Sequence, residues 1–316
     1  MIRLSIIVPF YNVEKYIEQC IRSLYDQDIP QEEYEVICVD DCSPDGSRAI
    51  VEKLQLEYSN LYLIIHDSNK KLGGARNTGL RAAQGEYVLF VDSDDYLKTN
   101  VLHRLLYEVD GNALDLVGFD VAIFEQGEQH EVDDRICINT PVLKGVDLFF
   151  YPGFTWTCQH ITAWRKIYRK TFLMENNLFF AEDMMFEDNE FCFRVYNCAQ
   201  RTRYIDAAPY VYRINDASIT HSQVSFRQVD SLAKLLPRMF ALYNEFLKNR
   251  ADDRFINELR RFISWNMSKL CETTPLLSKN EQSLVVKQLH NQSVIPYLKV
   301  CGKKLFGKYL FLLYHK

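Results

Sequence analysis

Three carboxylates within four residues, Asp92, Asp94 and Asp95, directly follow the apolar run at 87–91. A run of this length and composition predicts a β-strand buried on both faces, as in a parallel sheet. The carboxyl ends of such strands form the edge at which open α/β sheets bind ligands. Because like charges this close repel each other, a hard divalent cation carrying phosphate oxygens is their usual partner. Aspartates are also common in solvated turns that cap a helix, so the cluster alone leaves both interpretations open.

The first 120 residues alternate between segments typical of strands and of helices. Strands are predicted at 4–8, 36–39, 61–65 and 87–91, and helices at 13–25, 49–58, 73–83 and 97–109. This alternation implies right-handed crossovers and an α/β fold with a mostly parallel central sheet flanked by helices.

The pattern is less regular after about residue 113. Residues 114–124 indicate a strand pair or a strand and turn, 127–142 are polar and irregular, and helices are predicted again at 170–176 and 187–199. We therefore expect one domain at 1–220, which changes in character near residue 113. A mainly helical C-terminal region should follow at 221–316.

Composition excludes several classes of protein. Hydrophobic residues make up 47% of the 316 and charged residues 25%, which is ordinary for a soluble globular chain. The net charge of −5 argues against a nucleic-acid partner, which requires a broad cationic field. Nine cysteines without a C-x-x-C pair predict reduced thiols in a cytoplasmic protein. The N-terminal apolar run is too short for a signal peptide, and no stretch approaches a membrane span.

Four groups of polar residues fall at the carboxyl ends of predicted strands, at 9–12, 40–41, 66–76 and 92–95. In a parallel sheet these ends meet at one rim. The third group pairs glycines with Arg76 ahead of a helix, which is typical of an anion site. Carboxylates for a metal and arginine for phosphate fit a nucleoside diphosphate with its cation. Taken singly, the glycines are more often a tight turn and the arginine a surface ion pair.

A second acidic group lies at 182–190, where five of nine residues are acids. Such a group is usually the solvated start of a helix, favoured by the helix dipole. Here Met184, Met185, Phe186 and Phe191 flank Glu187 and Asp188, which predicts partial burial. Partial burial makes a carboxylate a better proton acceptor.

Four motifs in this order resemble the family 2 glycosyltransferases of the GT-A fold. They are IVPFYN at 7–12, VDDCSPD at 39–45, GARNTGL at 74–80 and FVDSDD at 90–95. The resemblance extends over about residues 1–215. It implies that 1–220 form a GT-A catalytic domain, with a nucleotide-sugar-binding half at 1–112 and an acceptor-binding half at 113–220. Cys42 stands where this family more often has glycine, which predicts a tighter or differently angled turn.

The resemblance implies a site for the nucleotide at the rim. The residues expected there are Pro9, Tyr11, Asp40, Asp41, Asn69, Arg76, Asp92 and Ser93. Pro9 and Tyr11 would pack beside the base and ribose, and Asp41 would accept a hydrogen bond from the uracil ring. Asn69 and Arg76 would face the base or the phosphates, with Arg76 expected at the diphosphate.

The same resemblance assigns a metal site and a base. Asp92-Ser93-Asp94 matches the family's Asp-x-Asp motif, in which Asp94 would bind Mn²⁺ or Mg²⁺ and Asp92 would contact ribose or metal. Asp188 would take the proton of the acceptor hydroxyl, and Glu187 would help to position the acceptor.

The implied function is an inverting, metal-dependent transfer of sugar from a nucleotide-sugar donor, by default a UDP-sugar. The acceptor would be a glycan or a lipid-linked sugar, in surface polysaccharide biosynthesis. A sugar-nucleotide nucleotidyltransferase is the first alternative, but it would require a glycine-rich basic loop where this chain has PFYNV. A non-catalytic nucleotide-binding module is the second, and it has no use for Glu187 and Asp188.

Other segments leave two interpretations each. Residues 283–316 contain six lysines and no acid, interleaved with apolar residues. This segment either contacts the inner face of the cell membrane peripherally or packs on the catalytic domain.

Trp156 is a candidate for stacking on a sugar, whereas Trp164 is expected in the core. Arg213, Ser218 and His221 either close over the diphosphate or belong to a hydrogen-bonded surface loop.

Overall fold

The computed structural model describes residues 1–111, 113–125, 128–131, 137–154, 161–214 and 224–290, with residues 305, 307, 308 and 312. The chain forms two compact units. The first comprises Met1–Asp183 and Arg194–Asn215, and the second comprises Met184–Phe193 and Asp216–Lys316.

The first unit is built on a mixed sheet. Its strands are β1 Leu4–Phe10, β2 Tyr34–Asp40, β3 Leu61–Ile65, β4 Tyr87–Phe90, β5 Tyr96–Leu97, β6 Leu116–Glu125, β7 Glu128–Glu131, β8 Lys166–Arg169 and β9 Thr202–Arg213. Their order is β3-β2-β1-β4-β8-β6-β9-β5, with β7 paired to β6. The α/β prediction is confirmed. The sheet is parallel through β1–β4, but β8 runs antiparallel to both β4 and β6, so it is mixed beyond β4.

Helices flank this sheet. They are α1 Ile17–Tyr25, α2 Ser47–Gln55, α3 Lys71–Ala82, α4 Leu102–Asp110, α5 Gly145–Phe149 and α6 Lys170–Glu175. The next helix, α7 Glu187–Cys198, begins in the second unit and ends in the first. In α1 the buried side chains are Ile17, Cys20, Ile21 and Leu24, which recur at helical spacing and form one apolar face. Strands β1 and β2 are buried along their full length, as expected for strands covered on both faces.

Two predicted helix starts were wrong, and so was the prediction for one polar segment. The helix predicted at 13–25 begins only at Ile17, because Asn12 has φ of 57° and residues 13–16 form a turn. The helix predicted at 97–109 begins at Leu102, because Tyr96 and Leu97 pair with β9 as strand β5. The polar segment predicted to be irregular contains β7.

The second unit is helical where it is described. Its long helices are α8 Phe226–Lys248, α9 Asp253–Thr273 and α10 Lys279–His290. Ser225 and Gln228 form a capping box at the start of α8, and Asp252 caps α9. The expected helical C-terminal region is thereby confirmed for 224–290. Among the described residues, every helix is too short or too polar to span a bilayer.

The contact between α3 and β1 depends on Gly79. A Cβ atom at this position would lie 2.3 Å from Cγ2 of Ile7. We expect Gly79→Ala to lower the free energy of unfolding by about 1–3 kcal/mol, because the helix must move off the strand. Urea denaturation measures this. Gly307→Ala is the matched control, since a Cβ there meets no atom within 4 Å. Equal stability of the two variants would contradict the close approach.

Candidate active site

The carboxyl ends of the four parallel strands lie side by side. Phe10 pairs with Asp40, Asp40 with Ile65, and Ile7 with Phe90, so the residues that follow these positions meet at one edge. We call this edge the rim. The structure therefore brings together the four groups that the sequence placed at strand ends.

Asp40 holds the turn after β2. Its side chain is fully buried. One carboxylate oxygen accepts from the backbone N–H of Ser43 at 2.8 Å, and the other accepts from Nε of Arg48 at 2.7 Å. Both oxygens are thus engaged by protein donors, which favours a structural role for Asp40. Cys42 follows in this turn with φ of 65°, the left-handed conformation that glycine adopts most readily.

Asp41 and Asn69 meet at the rim through a direct hydrogen bond. The buried Asp41 carboxylate accepts from the backbone N–H of Lys70 at 2.7 Å and lies 2.8 Å from Nδ1 of His66. Nδ2 of Asn69 donates to the backbone oxygen of Asp41 at 3.0 Å. The other ring nitrogen of His66 lies 2.9 Å from Oγ1 of Thr78. These contacts fix the loop after β3 against the loop after β2.

Sequence reasoning placed His66 at the rim, as the first residue of the group 66–76, but gave it no role of its own. The available signal was its position, as the first polar residue after the apolar strand β3. Pro9 and Tyr11 lie at the carboxyl end of β1. Pro9 is buried in β1, and the Tyr11 side chain just beyond the strand is 45% exposed. An exposed aromatic ring at this edge can stack on a ligand.

Arg76 is buried on α3 beside the acidic turn. Its Nη2 lies 2.7 Å from Oδ1 of Asp92, and its guanidinium lies over the ring of Phe180, 5.3 Å from the centroid. Only 1% of Arg76 is exposed. A charge buried this deeply requires a paired partner, and Asp92 supplies it. The structure thus places a fixed positive charge next to the Asp-x-Asp motif.

The turn after β4 concentrates negative charge. Asp92 and Asp94 are half-buried, while Ser93 and Asp95 are buried. Burial, followed by the negative charges of Asp94 and Asp92, raises the pKa of Asp95 well above its usual value. A divalent cation on Asp92 and Asp94 would offset that repulsion, and carboxylate oxygens are the ligands that Mg²⁺ and Mn²⁺ prefer. The residues therefore fit the expected metal.

A different trio has metal-type side chains close together. Asp120, Cys137 and Asp206 have ligand atoms within 4.8 Å of one another, and they form the one such group in the described part of the chain. The Asp120 carboxylate already accepts from the Tyr204 hydroxyl and, at 3.3 Å, from the backbone N–H of Cys137. The bond to Tyr204 joins β6 to β9, and the two bonds together account for the buried Asp120 without a cation.

Glu187 and Asp188 begin α7 and belong to the second unit. Glu187 is buried and Asp188 half-buried, so the expected partial burial is confirmed. Within this unit the start of α7 is attached to α8. The backbone N–H of Met185 donates to Oγ of Ser231 at 3.1 Å, and Arg238 pairs with Glu190 at 2.7 Å.

Asn77 on α3 fixes the segment before this motif. Its side chain donates to the backbone oxygen of Phe180 at 3.0 Å and to Glu182 at 2.9 Å, and it accepts from the N–H of Phe180 at 2.8 Å. Sequence reasoning gave Asn77 no role. Its place next to Arg76 in GARNTGL was the available signal.

Trp164 is in the core, as expected, and stacks on Tyr210 with ring centroids 4.6 Å apart. The side chain of Arg213 is engaged by other protein groups. Its guanidinium lies over the rings of Tyr16 and Tyr96, and its Nη2 donates to Gln19 at 2.7 Å. Trp156, Ser218 and His221, with most of the lysine-rich segment 283–316, lie outside the described residues.

The sequence is similar to a family of known enzymes and to two of its members. Residues 5–176 match the model of the family described as glycosyl transferase family 2. The uncharacterized glycosyltransferase EpsJ of Bacillus subtilis is 35% identical over 77% of this chain and 70% of its own length. The poly(ribitol-phosphate) β-N-acetylglucosaminyltransferase TarS of Staphylococcus aureus is 31% identical over 67% of this chain. The chain spans only 35% of the length of TarS.

Two solved structures show the same fold. Residues 1–349 of TarS in complex with UDP-GlcNAc superpose with a TM-score of 0.75 at 24% identity, covering 99% of this chain and 90% of that one. The mannosyltransferase PcManGT of Pyrobaculum calidifontis, in complex with GDP-Man and Mn²⁺, gives a TM-score of 0.52 at 19% identity. It covers 99% of this chain and 88% of that one.

The left-handed conformation of Cys42 yields a stability prediction. A β-branched side chain is strained at positive φ, so Cys42→Val should lower the free energy of unfolding by about 1–2 kcal/mol. Cys42→Gly should cause no comparable loss, because glycine adopts this conformation freely. Urea denaturation of both variants measures the difference, and equal losses would show that the turn does not constrain this residue.

Proposed function

This chain belongs to glycosyl transferase family 2, and we propose that it is an inverting, metal-dependent transferase that takes its sugar from a UDP-sugar. The observation that carries the proposal is the rim itself. There Asn69 donates to the backbone oxygen of Asp41, and the ion pair of Arg76 with Asp92 adjoins the half-buried Asp94. A nucleoside diphosphate requires these three functions in one place, namely base contacts, a fixed cation and metal-binding carboxylates.

UDP is favoured as the nucleotide by the solved structures of TarS with UDP-GlcNAc and with UDP. We assign the base and ribose to Tyr11, Pro9 and Asp41, and the loop at Asn69 to the edge of that pocket. We assign Asp40 a positioning role, because its two oxygens hold Ser43 and Arg48. Ser93, buried between the two ligand aspartates, would set their spacing.

Asp92 and Asp94 would hold Mn²⁺ or Mg²⁺. The ion, when bound, offsets negative charge on the departing diphosphate. Arg76 contributes a second positive charge that is already fixed by Asp92 and Phe180 before the donor binds. Preorganised charge of this kind stabilises a transition state without the cost of reorientation. The protein thus mainly positions groups and stabilises leaving-group charge.

Asp188 is the proposed base, which removes the proton of the acceptor hydroxyl as that oxygen attacks the anomeric carbon. Glu187, buried at the same helix start, would orient the acceptor. The acceptor class is a glycan or lipid-linked sugar. The name of TarS, a poly(ribitol-phosphate) transferase, favours a role in surface polysaccharide assembly. We place this work in the cytoplasm, with peripheral contact to the inner face of the membrane.

The metal assignment is tested with Asp94→Asn. We expect manganese-dependent UDP binding, measured by calorimetry, to be lost, and transfer to fall by about 100-fold or more, because a direct ligand is removed. Asp253→Asn, at an exposed position in the first turn of α9, is the control and should behave as wild type. Equal UDP binding in manganese and in chelator would refute the assignment.

The base assignment is tested with Asp188→Asn. UDP binding should stay unchanged while transfer falls by roughly 100- to 10,000-fold, the range for loss of a general base. Release of UDP from a panel of UDP-sugars is the assay, and release of pyrophosphate would instead indicate a nucleotidyltransferase. Glu175→Gln, exposed at the end of α6, is the control. Near-normal transfer by Asp188→Asn would show that another group takes the proton.

A further inference from the structure

Asp95 completes the acidic cluster, and its side chain bonds to strand β9. Only 1% of it is exposed. One carboxylate oxygen accepts from the hydroxyl of Tyr210 at 2.7 Å, and the other accepts from the backbone N–H of Arg213 at 2.8 Å. Both donors lie on β9. A buried carboxylate is costly unless its oxygens are satisfied, and β9 satisfies both oxygens of Asp95.

Tyr210 holds the other end of the same turn. Its hydroxyl oxygen also accepts from the backbone N–H of Asp92 at 3.1 Å. The turn itself is closed by the N–H of Asp95, which donates to the backbone oxygen of Asp92 at 3.0 Å. One hydroxyl therefore connects the first and the last residue of the segment that carries Asp94. Trp164 stacks on the Tyr210 ring and restricts its movement.

Arg213 fixes the end of β9 through its side chain. Its guanidinium carbon lies 4.8 Å from the ring centroid of Tyr16 and 5.4 Å from that of Tyr96. Its Nη2 donates to Oε1 of Gln19. Tyr96 pairs with Val211 across β5 and β9. Cation–π contacts and strand pairing thus hold the N–H that Asp95 accepts from.

We propose that Asp95, Tyr210 and Arg213 are positioning residues through which β9 sets the placement of Asp92 and Asp94 for the divalent cation. Asp95 is not a metal ligand in this arrangement, although it lies in the acidic run. This inference rests on the proposed metal site. It adds that strand β9 positions the two ligands of that site. Residues that orient metal ligands without touching the metal govern affinity almost as strongly as the ligands do.

The test is manganese affinity in the presence of UDP, measured by calorimetry on the full chain. Tyr210→Phe and Asp95→Asn should each weaken manganese binding by about 10-fold or more, and Arg213→Met by a smaller factor. Asp94→Asn, which removes a ligand, should abolish binding. Tyr107→Phe, at a 70% exposed tyrosine, is the control for loss of a hydroxyl.

The double variant Tyr210→Phe with Asp95→Asn should bind manganese with about the same affinity as whichever single variant binds it more weakly. The two losses should not add, because both changes break one hydrogen-bond network. Tyr210→Phe retains the ring that stacks on Trp164, so it tests the hydroxyl even where Asp95→Asn does not fold. Circular dichroism and thermal unfolding establish that each variant is folded.

Two results would overturn the inference. If Tyr210→Phe binds manganese within about twofold of Tyr107→Phe, the hydroxyl serves stability alone. If Asp95→Asn abolishes binding as fully as Asp94→Asn while Tyr210→Phe does not weaken it, Asp95 is itself a ligand. If the metal assignment itself is wrong, the manganese titrations will give a different result. In that case Asp94→Asn would bind manganese as wild type does, and this inference would fall with the metal assignment.

Discussion

The ion pair between Arg76 and Asp92 is the contact on which the rest of the rim depends. Asp92, Asp94 and Asp95 follow one another at the end of a buried strand, where their mutual repulsion is poorly screened by water. A guanidinium 2.7 Å from Asp92 offsets part of that charge from within the protein. Because Arg76 is itself buried, removing either side chain would take away the charge that balances the other. Such a change is strongly destabilising.

Buried polar side chains fix the local geometry of the rim. Asp40, Asp41, Asn77 and Asp95 are all buried, and each has hydrogen-bonding partners at 2.7–3.0 Å. A buried polar group left without partners would cost about 1–3 kcal/mol, so each of these side chains enforces one local geometry. The loops at the rim are therefore fixed by polar contacts, while the strands beneath them are fixed by apolar packing.

Helix α3 and strand β9 act on the acidic turn in different ways. Through Arg76 the helix supplies charge, and through Asn77 it fixes the backbone around Phe180. Strand β9 supplies neutral donors, a tyrosine hydroxyl and a backbone N–H. Charge stabilises the acidic cluster as a whole, whereas directional hydrogen bonds decide the orientation of each carboxylate. A metal site requires both.

The sequence by itself determined the α/β fold, the strands that carry the rim and the motifs that identify the family. Periodicity and composition report on burial, and burial decides which segments become buried strands and amphipathic helices. Only the tertiary structure decided which carboxylates are engaged by donors of the protein itself. Asp40 was expected at the nucleotide and Asp95 belongs to the acidic run, but Arg48, Tyr210 and the N–H of Arg213 engage them in the fold. Two of those three partners lie more than 100 residues away along the chain, so no local pattern contains them.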